Sequence, residues 1–596
     1  MSKPSLLWIM TDQYNADCFS WAGHPVVRTP NLDRIAAEGV RFTQAYCQYP
    51  QCVPSRYSQL LGQYCRTHRM YGFVGNTGEQ PAHLLEHFGA HGYTTGAFGK
   101  LHLDPMGRRF APDRCAPSMG SDWFMARPEG RHYGAYLARH GIDYPTRECH
   151  GGKGYGPGPA SEPSAPGCSD VPMEHNLERW TANEGIAFVR EAVEAGRPFV
   201  AFVSFERPHK PVNIPAEQED RIDAASIPLD PPETAAQLLC KPRICLEGRI
   251  DPCSDTWREP DSFRDLLKRY FTVIEMIDDE VGRILETLEA LGVLEETAVV
   301  FCADHGDQAG RKRIFDKCQH ASTNQVARIP FLLLPPKAWR TEAGGQTVDA
   351  PVESIDLYPT VCDWAGLPRP DHLEGRSLAR VCTGEEAADP HRPAFCESFF
   401  RRAVVQDGWR LVHHCGGSVG ELYHIAEDPL EYENLYLTPG HAKRVEQLKH
   451  ELIRFLTGTV TEADTQQAED ILAAGGPLRA HTRHQRLHRS GCESGPFFVR
   501  GHAFHVLEYK HWVLFYRVDN RRHLLFDKRS DPELETDILP TPAGRFAFGE
   551  LRDRLIDCLI DQHPPATFWE PEPLGGEMPT PEQVEAFLSQ PLYRDA

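Results

Sequence analysis

Over its first two-thirds this 596-residue chain alternates short apolar runs with amphipathic helical ones, and that rhythm restricts its fold more than any single residue does. Leu6 to Thr11, Thr94 to Phe98, Pro198 to Ser204, Ala298 to Cys302 and Pro330 to Leu334 read as buried strands. A helix is expected through Asn31 to Glu38, with Pro30 at the tolerated first position and Gly39 ending it. The clearest helix runs from about Ser262 to Leu291. Leu266, Tyr270, Ile274, Ile277, Val281, Ile284, Leu285 and Leu288 form one apolar face there, and Ser262 with Asp265 resembles a capping box. Alternation of this kind implies an α/β fold, a mostly parallel sheet with helices on both faces. Such sheets place their chemistry at the carboxyl ends of the strands.

The chain is too long for one hydrophobic core, so a large domain with a smaller one is expected. Hydrophobic content of 41% and charged content of 25% are those of an ordinary globular protein. A net charge of −21 disfavours nucleic acid and anionic membrane as partners, and no apolar run reaches the length of a membrane span. The stretch from Ser5 to Thr11 is short and ends at Asp12, which suits a strand better than a signal peptide. A cytoplasmic location follows as the expectation, with the 18 cysteines mostly reduced thiols and no CxxC pair to suggest zinc.

The expected boundaries are a catalytic α/β domain over residues 1–393 and an α+β region over 394–596. The latter looks duplicated, in units of about 394–459 and 497–562 joined by the polar segment Val460 to Pro496. Trp409 and Asp428 recur as Trp512 and Asp531 at the same offset. Each unit reads as two strands, an Asp-Pro turn, then a helix (Ala442 to Leu456; Gly549 to Asp561). Scaffolding or homo-oligomerisation suits such a module better than chemistry. Two long stretches, Pro105 to Val171 and Pro211 to Pro260, break the alternation and are candidate pocket walls, with Trp123, Tyr133, Tyr136 and Tyr144 available to a sugar.

Residues with chemical potential gather just after the strands. Asp12 follows the first, and Asp304-His305-Gly306 follows Val299 to Cys302. Two acids and an imidazole could converge on one divalent cation. Gly99-Lys100-Leu101-His102, Arg207-Pro208-His209-Lys210-Pro211 and Lys317 would add a positive pocket suited to a sulfuryl or phosphoryl ester. Cys52-Val53-Pro54-Ser55-Arg56 is only moderately specific alone, since a buried cysteine is usually an inert thiol.

Together with Thr29-Pro30-Asn31-Leu32-Asp33, Asp278-Asp279-Glu280-Val281-Gly282 and Asp356-Leu357-Tyr358-Pro359-Thr360, these motifs make residues 5 to 365 resemble the sulfatases of the alkaline phosphatase superfamily. The resemblance implies that a maturation enzyme converts Cys52 to formylglycine, whose hydrate attacks sulfur or phosphorus while Arg56 holds it. It implies a divalent metal on Asp12, the modified Cys52, Asp304 and His305. His209 with Lys317 would protonate the departing alcohol, and His102 beside Lys100 would deprotonate the second hydroxyl. The chain departs from many sulfatases at Gln13, where they carry an acid, and at His305, where they carry Asn. Calcium is favoured by the family and manganese is credible. The substrate is expected to be a small sulfate ester; the alternative is a phosphonate monoester or phosphodiester cleaved by the same machinery. A non-catalytic protein on this scaffold would be marked by loss of Cys52, Arg56 or a metal acid, and none is lost.

Overall fold

The structure is a computed structural model. It describes residues 3–72, 80–103, 111–118, 131–142, 168–169, 171–243, 245, 259–317, 323–341, 344–398, 401–417, 419–458, 497–500, 504–509, 511–518, 523–527, 529–530, 537–561 and 580–588. Trp123, Tyr144, the Asp531 turn, the segment 460–496 and most of the first long stretch lie outside the described residues.

The central sheet has eight strands: β1 (Ser5–Asp12), β2 (Val40–Phe42), β3 (Thr94–Gly99), β4 (Arg114–Pro117), β5 (Phe199–Pro208), β6 (Thr297–Ala303), β7 (Phe331–Leu334) and β8 (Gln346–Val348). Their spatial order is β8-β2-β7-β6-β1-β5-β3-β4. Seven run parallel, and β7 alone runs antiparallel to both its neighbours. Every residue of β1 after Ser5 is buried, so both faces of this central strand are covered, as its continuous apolar run requires. Met10 lies beside Ser204 and Cys302, and Gly99 beside Ser204. The strands therefore end level, and Asp12, Lys100, His209 and Asp304 leave from one edge of the sheet.

Four of the described helices bear on the site and its support: α1 (Pro30–Glu38), α2 (Cys52–Leu61), α3 (Leu177–Glu194) and α4 (Pro260–Ala290). Gly39 ends α1 at an ordinary φ of −118°, so left-handed freedom is not what the position needs. A Cβ there would meet the Leu333 carbonyl at 2.3 Å, and close approach to β7 demands the glycine. Helix α4 begins at Pro260, two residues before the expected Ser262. Its N-cap is Glu259, which makes no side-chain cap bond, so the Ser262–Asp265 capping box does not form. Proline's fixed φ already starts the helix upstream and leaves Ser262 inside the first turn.

Two of the motifs meet here and are architectural. The Asp278 carboxylate of α4 accepts from the backbone N–H groups of Asn31 (3.1 Å) and Leu32 (2.8 Å), capping α1 from outside. A Cβ on Gly282 would lie 2.6 Å from the Asn31 side chain, so the glycine lets the two helices close. Asp356 is likewise structural: it accepts from Arg392 Nη1 at 2.6 Å and from the backbone N–H of Arg376 at 2.7 Å.

The described chain divides into two compact units, one of Met1–Val412, Glu421–Leu435 and Glu577–Ala596, the other of His413–Gly420 and Tyr436–Gly576. Beyond the central sheet, strands β9 (Ala394–Ser398), β10 (Arg401–Gln406), β11 (Trp409–His414) and β12 (Glu421–Tyr423) form a four-stranded sheet, followed by α5 (Ala442–Thr457). Strands β13 (Phe497–Arg500), β14 (Phe504–Tyr509), β15 (Trp512–Arg517) and β16 (Leu524–Asp527) repeat that order before α6 (Pro542–Asp561). Each sheet thus has two strands more than the sequence pattern suggested, and α6 begins seven residues earlier than Gly549.

Candidate active site

Helix α2 carries the cysteine motif. Gln51 is extended (φ −155°, ψ 145°), Cys52 is the first helical residue, and all ten residues of the helix are buried. Pro54 sits in the first turn, where no backbone donor is missed. Cys52 and Arg56 are four apart and share a face, which is the physical content of the motif's spacing. The helix is moored to the end of β6: Ser55 Oγ donates to the Asp304 carbonyl (2.5 Å) and Gln59 Nε2 to the Ala303 carbonyl (3.1 Å).

Arg56 is fully buried and ties three strand ends together. Its Nε donates to Asp304 Oδ2 (2.8 Å) and Nη2 to Asp12 Oδ2 (3.3 Å). Its Nη1 donates to the Lys100 carbonyl (2.6 Å) and Ser204 Oγ (2.9 Å). Lys100 Nζ lies 2.7 Å from the same Asp12 oxygen. Cations therefore hold one oxygen of each acid and leave the other facing His305, whose Nε2 is 3.7 Å from Asp12 Oδ1 and 3.8 Å from Asp304 Oδ1.

Burial opposes the charge on Asp12, but Lys100, His209 and Arg56 outweigh it and hold the carboxyl well below its ordinary value. Asp304, buried and beside the Asp12 charge, is pushed up to about 6. Burial disfavours the His305 cation, yet the Asp304 charge and the neighbouring Cys52 raise it to about 8. The Cys52 thiol would be raised by burial; Lys317 and Lys100 bring it down to about 6 instead.

Asp12, Cys52, Asp304 and His305 each present one ligand atom within 4.8 Å of the others, all buried. His305 Nδ1 faces the Gly306 carbonyl at 2.9 Å, which assigns the proton to that nitrogen and leaves the Nε2 lone pair toward the acids. Asp12 Oδ1 and His305 Nε2 are buried with no hydrogen-bond partner among the described residues. Such atoms are costly unless something positive sits between them. The donor set fits a divalent cation, for which a proton on His305 would compete.

The remaining basic residues are Lys317, His209 and His102. Lys317 Nζ lies 3.9 Å from Cys52 Sγ and 2.8 Å from His209 Nε2, and His209 Nδ1 faces the Lys210 carbonyl at 2.6 Å. His102 adopts a left-handed backbone (φ 58°). Burial, with Lys100 and Arg56 nearby, keeps its imidazole neutral by lowering its pKa well below the usual value. All nine expected residues thus gather at one sheet edge.

Asp307 and Asp316 were not expected, and Gln13, noted in the sequence for standing where many sulfatases carry an acid, joins them. Gln13 (φ 68°) donates through Nε2 to Asp307 Oδ2 (2.5 Å) and Asp316 Oδ1 (2.9 Å), while its Oε1 lies 3.4 Å from Lys317 Nζ. Asp307 is raised by burial and the Asp316 charge to about 7. Only its place two residues after His305 could have drawn notice; an aspartate in a loop usually signals a turn. Of the aromatic candidates, Tyr133 donates to the His175 carbonyl (3.0 Å) and the Tyr136 hydroxyl bonds His175 Nδ1 (2.8 Å), so both hydroxyls are engaged locally.

Comparison with known proteins agrees with this arrangement. The sulfatase family model matches residues 4–367, and the C-terminal model of N-sulphoglucosamine sulphohydrolase matches residues 310–457. An arylsulfatase of Clostridium perfringens is 28% identical over 489 residues, covering 76% of this chain and 95% of that protein. A sulfatase of Formosa agariphila is 27% identical over 467 residues, covering 75% and 86%. Among solved structures, a phosphonate monoester hydrolase from Silicibacter pomeroyi shares the fold, with a TM-score of 0.64 at 22% identity over 76% of this chain and 95% of that one. The fold is one shared with phosphonate monoester hydrolases. Within it, this chain belongs to the sulfatase family and is a sulfuric ester hydrolase.

Proposed function

We propose that this sulfatase cleaves a small sulfate ester with a formylglycine made from Cys52, beside a divalent cation held by Asp12, Asp304, His305 and the modified residue. The observation that carries the reading is the buried convergence of those four ligand atoms within 4.8 Å, flanked by Arg56 and Lys317. The formylglycine hydrate would supply a hydroxyl nucleophile that no ordinary side chain offers, and the cation would supply Lewis acidity toward the ester. The family favours calcium, and the His305 imidazole makes manganese the second choice.

The chain's own residues account for orientation and proton movement. Arg56 fixes one oxygen of each acid and ties α2 to the sheet, which holds position 52 against the cation site. Lys317 binds the ester's anionic oxygens and shares a proton with His209 Nε2, from which the departing alcohol is protonated. His102, kept neutral, can accept the proton of the second hydroxyl when sulfate is expelled. A maturation enzyme is required to oxidise Cys52. Thirteen cysteines, Cys52 among them, are free thiols among those whose side chains are described, which supports work in a reducing compartment such as the cytoplasm.

A second reading keeps the machinery and changes the substrate to a phosphonate monoester or phosphodiester. The fold shared with phosphonate monoester hydrolases and the departures at Gln13 and His305 favour it. Measuring kcat/KM for an aryl sulfate against the matching aryl phosphonate monoester, with Cys52→Ala as the blank, separates the two. Preference for sulfate is expected; preference for phosphonate selects the second reading. A blank that kept wild-type turnover would refute the nucleophile in both.

A further inference from the structure

Lys317 and His209 come from segments more than a hundred residues apart, yet their nitrogens sit 2.8 Å from each other. One carboxylate bridges the two segments. Asp316 Oδ2 lies 2.6 Å from Lys210 Nζ, the neighbour of His209, while Asp316 Oδ1 accepts from the backbone N–H of Lys317 at 2.7 Å. The same Oδ1 accepts from Gln13 Nε2, whose amide oxygen faces Lys317 Nζ. Lys210 completes the circuit by presenting its carbonyl to His209 Nδ1 at 2.6 Å. Asp316 holds φ at 80°, a conformation costly for a non-glycine residue unless its surroundings fix it.

We propose that the Lys210–Asp316 ion pair is a strap that positions the leaving-group proton donor, setting the distance between His209 and Lys317. This rests on the roles given to those two residues above. Lys210 and Asp316 are positioning residues: neither need touch the reacting atoms. The pair is partly buried, with side-chain exposures of 29% and 16%. Its loss acts on geometry, where a displacement of about 1 Å can cost about 100-fold in rate.

The discriminating test is leaving-group dependence. A nitrophenolate departs without help, whereas an alkyl alkoxide needs a proton. Lys210→Met should lower kcat/KM for an alkyl sulfate by about 10- to 100-fold, part of what a general acid contributes, and for para-nitrophenyl sulfate by less than about 3-fold. Lys210→Arg, which keeps the charge, should restore most of the alkyl activity. Asp316→Asn should behave like Lys210→Met; should it misfold, the lysine variants decide alone. Equal losses on both esters, or no loss in Lys210→Met, would overturn the strap while leaving the nucleophile assignment standing. Activity of Cys52→Ala equal to wild type on both esters would instead overturn the underlying mechanism.

Discussion

Replacing Arg56 with methionine gives the sharpest test of how the site is held together. The guanidinium is fully buried and makes four hydrogen bonds, two of them to Asp304 and Asp12 at 2.8 and 3.3 Å. Methionine keeps most of the packed stem, so lost volume is a minor effect. What remains among the described residues is a buried Asp304 Oδ2 without its guanidinium partner, and an Asp12 Oδ2 served by Lys100 at 2.7 Å. Removing one member of a buried ion pair costs about 3–5 kcal/mol, because the other charge is left unpaired. The surplus negative charge should also attract the cation more strongly. Urea unfolding of wild type and Arg56→Met, each in chelator and in excess calcium or manganese, measures both effects. The variant should lose about 3–5 kcal/mol in chelator. It should recover more than wild type when metal is added, on the scale of about 2.7 kcal/mol at a hundredfold excess over Kd. A loss below about 1 kcal/mol, or equal metal increments in the two proteins, would refute the claim that Arg56 compensates the two acids.

Three further outcomes can be stated. Asp304→Ala should lose its bound metal; unchanged metal content by elemental analysis would sink that ligand assignment. Asp278 is pushed by burial from 3.8 to about 6 despite the hydrogen bonds it receives from α1. The folded chain keeps that proton across this window while the unfolded chain releases it, so its contribution to stability falls as pH rises from about 4 to about 6. The fall is up to about 3 kcal/mol, a difference of about 2.2 pH units at about 1.36 kcal/mol each. Asp278→Asn should remove that slope, and unfolding midpoints that run parallel for both proteins would contradict it. Gly99→Ala combines a φ of 87° with a Cβ 2.0 Å from the Ser204 carbonyl, so it should cost at least about 2 kcal/mol and displace Lys100. Normal thermal stability in that variant would show that β3 and β5 can separate without penalty.

The alternation of strands and helices, the edge at which polar residues collect, and the nine candidate residues that gather there were legible in the sequence. The roles given to Cys52, Arg56, His102, His209 and Lys317 rest on the resemblance to sulfatases, whereas the fold and its edge depend on local pattern: continuous apolar runs, helical period, and polar residues immediately after a strand. The i, i+4 relation between Cys52 and Arg56 belongs to the same class, because helix geometry alone puts them on one face. The capping box at Ser262 failed for a local reason too, since Pro260 started the helix first.

Tertiary structure decided what local pattern cannot encode. An apolar run such as Phe331–Leu334 reads the same in either direction, so only pairing with β6 and β2 made it antiparallel. Asp307 and Asp316 carry no signal of their own, and Gln13 shows only as a departure from the family's acid. They acquire roles from contacts spanning about three hundred residues, where the buried Gln13 amide must find acceptors once β1 lies beside β6. The family motif around Asp278 is a similar case: its acid caps α1, a helix 247 residues away, rather than touching the reaction. Hydrophobic period and strand-end chemistry are properties of neighbouring residues and survive in the bare sequence. The partners of a buried polar group depend on which chain ends the fold brings level, and only the assembled sheet specifies them.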